Sequence, residues 1–267
     1  MPDQIGERKA SEWSKIGYEY AISGDNQRAL ECYEKAVKIN PKDVNQWTNM
    51  GIVALHLEEY QRAIDCFEKV IEFDPKLSRA WFNLGTGYSK LNPQKAIECY
   101  KEAVLIDPTD TNSWYNMGIL YSQELHDFKN TLICFEEVVK LDHQNFAAWY
   151  DLGILYGKSE NFQQAVICFE KALQLDPQNF ETRVILAKSY DLLGDDQKYI
   201  ENLTEILKLM PDNIEIQMEL GNCYGRMKNF QKAIETFEKI VKFEPDNTEA
   251  VGNLSYFYYR SHNSPKA

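Results

Sequence analysis

The chain has 267 residues, of which 44% are hydrophobic, 26% charged and 13% aromatic, and this composition excludes the disordered, collagenous and membrane-embedded classes. Its formal net charge is −12, with acidic residues spread along the whole length, so the electrostatic footprint of a nucleic-acid or anionic-membrane binder is missing. No run of about 18 apolar residues occurs, and residues 1–30 hold no apolar stretch after a basic start, so neither a membrane span nor a secretory leader is expected and a reducing, cytoplasmic setting is.

The order within the chain is set by one period. Cys32, Cys66, Cys99, Cys134 and Cys168 each stand before an aromatic residue and a Glu or Lys, at spacings of 34, 33, 35 and 34. Trp13, Trp47, Trp81, Trp114 and Trp149 keep the same beat, and Pro41, Pro75, Pro108, Pro177, Pro211 and Pro245 close the repeats. After a lead at 1–9, seven repeats fit at 10–43, 44–77, 78–110, 111–145, 146–179, 180–213 and 214–247. In the second, Trp47, Met50, Gly51 and Ala54 mark one face of a helix and Ala63, Phe67 and Val70 mark another, so each repeat is predicted to be two antiparallel helices. Leu57 to Tyr60 is the turn between them, and Asp74-Pro75 stops the second helix, because the residue before proline is pushed out of helical geometry. Gly51 is expected to face Ala63 across the pair, and the equivalent glycines their equivalent alanines, so that the backbones approach closely.

The fourth repeat inserts one residue near Leu125-His126-Asp127 and carries Thr131 and His143 where the others have Ala and Pro. The fifth contains Gly153-Ile154-Leu155-Tyr156-Gly157-Lys158-Ser159, which has one residue too few between its glycines for a phosphate-binding loop and lies in phase with a first helix. The sixth departs most: Arg183 replaces Trp, Ala187 the glycine, Tyr199 the alanine and Leu203 the aromatic, and a tyrosine at a close approach predicts helices pushed apart. Beyond the seventh lie a further helix at 248–260 and a polar tail at 261–267. Stacked repeats would hold equivalent cysteines about 10 Å apart, too far for a disulfide, and no C-x-x-C pair exists, so the six cysteines read as small buried hydrophobes. The four histidines show no ligand spacing, and no metal, cofactor or catalytic set is expected.

The pattern Trp-x-x-Leu-Gly-x-x-Tyr, then Ala-x-x-x-Phe-x-x-Ala, then Pro resembles the tetratricopeptide repeat over residues 10–247. That resemblance implies an all-α, right-handed superhelical solenoid of antiparallel helix pairs, with a concave groove lined by the first helices at positions 2, 5, 6, 9 and 13 of each repeat. It implies interaction with a protein or peptide segment and no enzymatic activity. Position 6 carries Asn49, Asn83 and Asn116 in succession before Asp151 breaks the row, and the three asparagines resemble the ladder in the superhelical repeats of O-linked N-acetylglucosamine transferase. An amide there could pair with a peptide's main chain. Position 5 supplies Phe82, Tyr115 and Tyr150, and position 9 supplies Ile119 and Ile154, an apolar floor for a bound segment. A clamp for a chaperone's terminal carboxylate is rejected, since only two of its five positions match and its lysine is absent. Val251, Leu254 and Tyr258 stand in columns that would pack on a second helix, so the helix at 248–260 is expected to dock a partner helix or a second copy. The function expected is therefore an adaptor, with a scaffold that self-assembles through the ends of its array as the alternative.

Overall fold

The computed structural model describes residues 9–262, and all regular structure within them is helical. The fifteen helices fall into two compact bodies, Met1–His143 and Gln144–Ala267. The first contains α1 (Ala10–Ile22), α2 (Asn26–Ile39), α3 (Val44–His56), α4 (Tyr60–Phe73), α5 (Ser78–Tyr88), α6 (Pro93–Ile106), α7 (Thr111–Gln123) and α8 (Phe128–Leu141). The second contains α9 (Phe146–Lys158), α10 (Phe162–Leu175), α11 (Phe180–Leu193), α12 (Asp196–Leu209), α13 (Ile214–Arg226), α14 (Phe230–Phe243) and α15 (Thr248–His262). In each body every helix packs on the next in the chain, which makes an all-α solenoid of stacked helix pairs. Among the described residues no helix is long and apolar enough to cross a membrane.

Local chemistry sets the helix ends. Asp25, Asp43, Asn92, Asp110 and Asp127 cap helices of the first body by accepting from free backbone N–H groups, and Asn145, Asn161 and Asn179 do so in the second. The turn inside six of the seven pairs passes through left-handed backbone, at Gly24 and Gly194 but also at Glu58, His126, Glu160 and Lys228. The inserted residue of the fourth repeat lies in this turn, where α7 ends at Gln123 and α8 begins at Phe128.

Packing within a pair adds an aromatic ring to the expected glycine-to-alanine approach. A Cβ on Gly51 would fall 2.6 Å from the Phe67 ring, and one on Gly118 would fall 2.5 Å from the Phe135 ring. The glycine hollow therefore receives the aromatic ring of the second helix, and in the third repeat the alanine's backbone is close too, since a Cβ on Gly85 would fall 3.1 Å from the Ala96 carbonyl oxygen; Ala63 and Ala165 are fully buried. This explains the sixth repeat. There Ala187 fills the hollow because Leu203 has replaced the ring, and the bulky Tyr199 is buried at 5% exposure with its hydroxyl donating to Glu219 at 2.5 Å. Large and small residues have exchanged places, and α11 and α12 pack less closely than the two helices of any other pair, as the bulky tyrosine predicts.

Successive repeats are joined by two hydrogen bonds that recur. Trp47, Trp81 and Trp114 donate their indole N–H to the carbonyls of Pro41, Pro75 and Pro108 at 2.8, 2.9 and 3.3 Å. Arg183 and Gln217, at the same position, donate to Pro177 and Pro211 at 2.8 and 2.6 Å. The second joint runs from a tyrosine hydroxyl to a glutamate of the preceding repeat: Tyr88 to Glu68, Tyr190 to Glu170 and Tyr258 to Glu238.

The last helix differs from expectation at Phe257 and at Leu254. Phe257 is buried, with ring centroids 5.7 Å from Phe237 and 6.3 Å from Phe230. Leu254 packs on the same cluster, whereas Val251, Tyr256, Tyr258 and Tyr259 are exposed.

Candidate functional site: the first-helix face

In the first body the face made by α1, α3, α5 and α7 carries the residues singled out in the sequence. Phe82 and Tyr115 are partly buried, each leaning on the ring that fills its own repeat's glycine hollow, with centroids 5.8 Å from Tyr100 and 5.5 Å from Phe135. The floor is thus a row of propped rings: one edge is core and the other meets solvent. Being held from beneath, the rings lose little side-chain entropy when something covers them.

Position 6 is less uniform than a ladder requires. Asn49 and Asn116 are partly buried, but Asn83 is only 7% exposed, and its amide nitrogen is sealed with no hydrogen-bond partner. The expectation of three equally solvated amides is corrected at Asn83. The column points back toward the preceding repeat: Asn116 donates to the Tyr100 hydroxyl at 3.4 Å, Glu219 accepts from Tyr199, and Asn253 donates to Asn222 at 3.3 Å. In front of Asn83 the residue equivalent to Tyr100 is Phe67, which has no hydroxyl to offer.

Between α5 and α7 the face opens into a cleft of about 180 Å³, whose lining includes Thr86, Lys90, Tyr100, Asn116, Ile119 and Glu124. Thr86, at position 9, shares a hydrogen bond at 3.2 Å with Tyr100, which lies outside the first-helix columns. Burial raises the Tyr100 hydroxyl's pKa, while the bonds from Thr86 and Asn116 oppose the rise by favouring the phenolate. At neutral pH the hydroxyl is intact and can donate as well as accept. Acceptors and donors therefore sit beside the apolar side chain of Ile119, a mixture suited to a peptide's main chain and one aliphatic side chain.

In the second body the equivalent face carries Tyr150, Asp151 and Ile154, all partly buried. Tyr150 stacks on Phe146 at 6.1 Å, meets Phe169 edge-on at 6.0 Å, and donates to Glu181 at 2.9 Å. Burial first, then the bond and charge of Glu181, push its hydroxyl up to about 12. The acidic stretch expected to attract a basic ligand end is partly engaged, since Glu181 and Glu219 accept from tyrosines and Arg226 is paired with Asp191 and Asp196 at 2.6 and 2.7 Å. Cys223 lies beside Asp196 at 3.3 Å, and burial followed by that bond pushes its thiol up to about 12, far from the reactive range. All six cysteines are buried as thiols. Gly153 to Lys158 is helical, within α9, so its backbone amides are not free to wrap a phosphate.

Four tetratricopeptide-repeat family models match the chain, at residues 16–80, 78–110, 146–179 and 200–255. No curated protein matched the sequence. Among solved structures, MamA from Desulfovibrio magneticus RS-1 is 21% identical with a TM-score of 0.58, covering 66% of this chain and 99% of its own. YrrB, described as a TPR protein with an unusual peptide-binding site, is 24% identical with a TM-score of 0.54, over 67% of this chain and 92% of its own. A tetratricopeptide repeat protein from Parabacteroides merdae is 17% identical with a TM-score of 0.59, over 93% and 98%. The period read from the cysteines, the helix pairs and the family matches agree: this chain belongs to the tetratricopeptide-repeat family.

Proposed function

We propose that the protein is a non-catalytic adaptor that holds a segment of a partner protein against its first-helix face. The observation that carries this reading is the cleft at Asn116 and Ile119 beside the propped rings of Phe82 and Tyr115, which combines apolar area with donors and acceptors. Peptide binding by YrrB, a protein of the same fold, supports it by analogy. Asn49, Tyr150, Asp151 and Ile154 extend the same face within their own bodies. Asn83 contributes by shaping the face, since its amide is covered.

The test compares partner capture by the wild-type chain and by an Asn116→Ala/Ile119→Lys variant whose helical signal is intact. Loss of one amide bond and one apolar contact should weaken binding by roughly 10- to 100-fold. A defined partner retained equally by both would place the interaction elsewhere.

A second reading, self-association, is favoured by one observation: Val251 and Tyr259 of α15 are 40% and 67% exposed on a helix that packs on α14. Sedimentation of the pure protein with a Val251→Glu variant alongside tests it. A wild type that stays monomeric over a wide concentration range removes it.

A further inference from the structure

The second helices carry a feature outside the first-helix face. Where the first body's last two repeats meet, α6, α7 and α8 enclose an outer cleft of about 310 Å³. The second body has the same cleft between α10, α11 and α12, about 350 Å³ and lined by the residues at the equivalent repeat positions. Fold and size are therefore held constant while the chemistry differs. Leu105, Trp114, Ile133 and Cys134 in the first become Gln174, Arg183, Glu201 and Asn202 in the second. The stacked repeat evidently requires neither set.

The apolar version departs from the other repeats at each exposed position. The position of Ile133 holds Glu31, Asp65, Glu98, Glu201 and Glu235 elsewhere, and only Ile167 shares its character. The position of Leu105 holds Lys38, Glu72, Lys140, Lys208 and Lys242. Both side chains remain in solvent, Leu105 at 74% and Ile133 at 42% exposure, so burial in the core does not account for them. The rim has also changed sign. Lys101 stands where Glu34, Glu68, Glu136, Glu170 and Glu238 stand in other repeats, with its ammonium 6.0 Å from the Tyr121 ring centroid. It is the single charge among the residues lining the cleft, in a chain whose net charge is −12. A cation at the edge of an apolar pocket favours an occupant whose apolar side chain is followed closely by a carboxylate.

We propose that this outer cleft is a second docking site, for a partner-protein segment that inserts an apolar side chain between Leu105 and Ile133 over Trp114 and sets an acidic residue against Lys101. It shares α6 and α7 with the cleft at Asn116 but none of that cleft's lining residues, and stands independently of the proposed peptide face.

The test is a selection of phage-displayed peptides on the immobilised full chain, with the Leu105→Lys variant as counter-target. Leu105 is exposed and lysine is what four other repeats carry there, so the variant keeps its fold. Selected peptides should share an apolar anchor with Asp or Glu within one helical turn. Their affinity should fall about tenfold or more on Leu105→Lys and on Ile133→Glu, fall severalfold on Lys101→Glu, and be unchanged on Asn116→Ala. Peptides that bind Leu105→Lys as well as wild type, anchors flanked by Lys or Arg, or no enrichment would each overturn the proposal. So would concentration-dependent self-association of the wild type abolished by Leu105→Lys, which would give the cleft to a second copy.

Discussion

Trp47, Trp81 and Trp114 donate to the proline carbonyl six residues earlier, and Arg183 and Gln217 preserve that bond with different side chains. What the position retains across these repeats is an N–H donor that ties a repeat to the end of the one before. Trp81→Phe keeps an aromatic ring, smaller than the indole, and removes the donor, so it should destabilise by at least about 0.5–1.5 kcal/mol, whereas Trp81→Arg should recover the bond. Urea unfolding of the two variants checks this, and equal losses would mean that the indole acts by packing alone. The sequence made the tryptophan column legible as core, but its polar role was hidden because three of the five residues present an aromatic face. The signal lay in the exceptions, since Arg183 and Gln217 share nothing with tryptophan except an N–H. The tyrosine-to-glutamate joints were equally available, because Tyr88/Glu68, Tyr190/Glu170 and Tyr258/Glu238 keep one constant spacing of 20 residues. The buried state of Asn83 was not available. It depends on what the preceding repeat places opposite it, which no single column reveals.

Six of the seven helix pairs turn through one residue of left-handed backbone, and the sequence supplies glycine there at Gly24 and Gly194 but His126 in another repeat, at φ 50°, and Glu58, Glu160 and Lys228 in three more, at φ 59°. An L side chain in that region is disfavoured by roughly 1–2 kcal/mol, and these three are exposed with no compensating contact in the core. Glu160→Gly should therefore stabilise, by about 0.5–1 kcal/mol after the greater freedom of glycine in the unfolded chain is offset. Thermal melting of Glu160→Gly and Lys228→Gly measures it, and a loss of stability in both would show that the strain is relieved by local bonds. The helices themselves were the most legible level, since a period near 34 with caps and proline stops leaves few alternatives. The last helix was read less well. Phe257 belongs to the column of Val53, Leu120 and Leu155, all buried, yet within the run Tyr256 to Tyr259 it looked like one more surface aromatic. Its cover is Phe230 and Phe237, supplied by the helix before it.

At the scale of the whole chain, ionisation and stacking give two expectations. Burial pushes the thiols of Cys66, Cys99, Cys134 and Cys223 up to about 12, from an ordinary value near 9. Between those pH values the unfolded chain has released protons that the folded chain retains, so the thiols' contribution to stability should be constant below pH 9 and fall as the pH rises toward 12. Buried Tyr100 and Tyr199 act in the same direction. Melting temperatures taken from pH 7 to 11 should decline on the alkaline side, and Cys66→Ala should shallow that decline while lowering stability at pH 7; a flat profile would mean that the thiols are not sealed when folded. The second expectation concerns the two bodies. Because each repeat contacts chiefly its neighbours, stability is a sum of local terms, and a cut at a turn removes only the terms that cross it. Residues 1–143 contain complete helix pairs whose glycine hollows, rings and tryptophan-to-proline bonds are all internal. Expressed alone, this piece should be helical and melt cooperatively, at a lower temperature than the full chain. It should also keep the clefts at Asn116 and Leu105, since both are built from its own helices. Circular dichroism of the fragment decides it: an unfolded fragment beside a folded full chain would mean that order in these repeats is imposed by the rest of the molecule, and the additive account of its stability would fail.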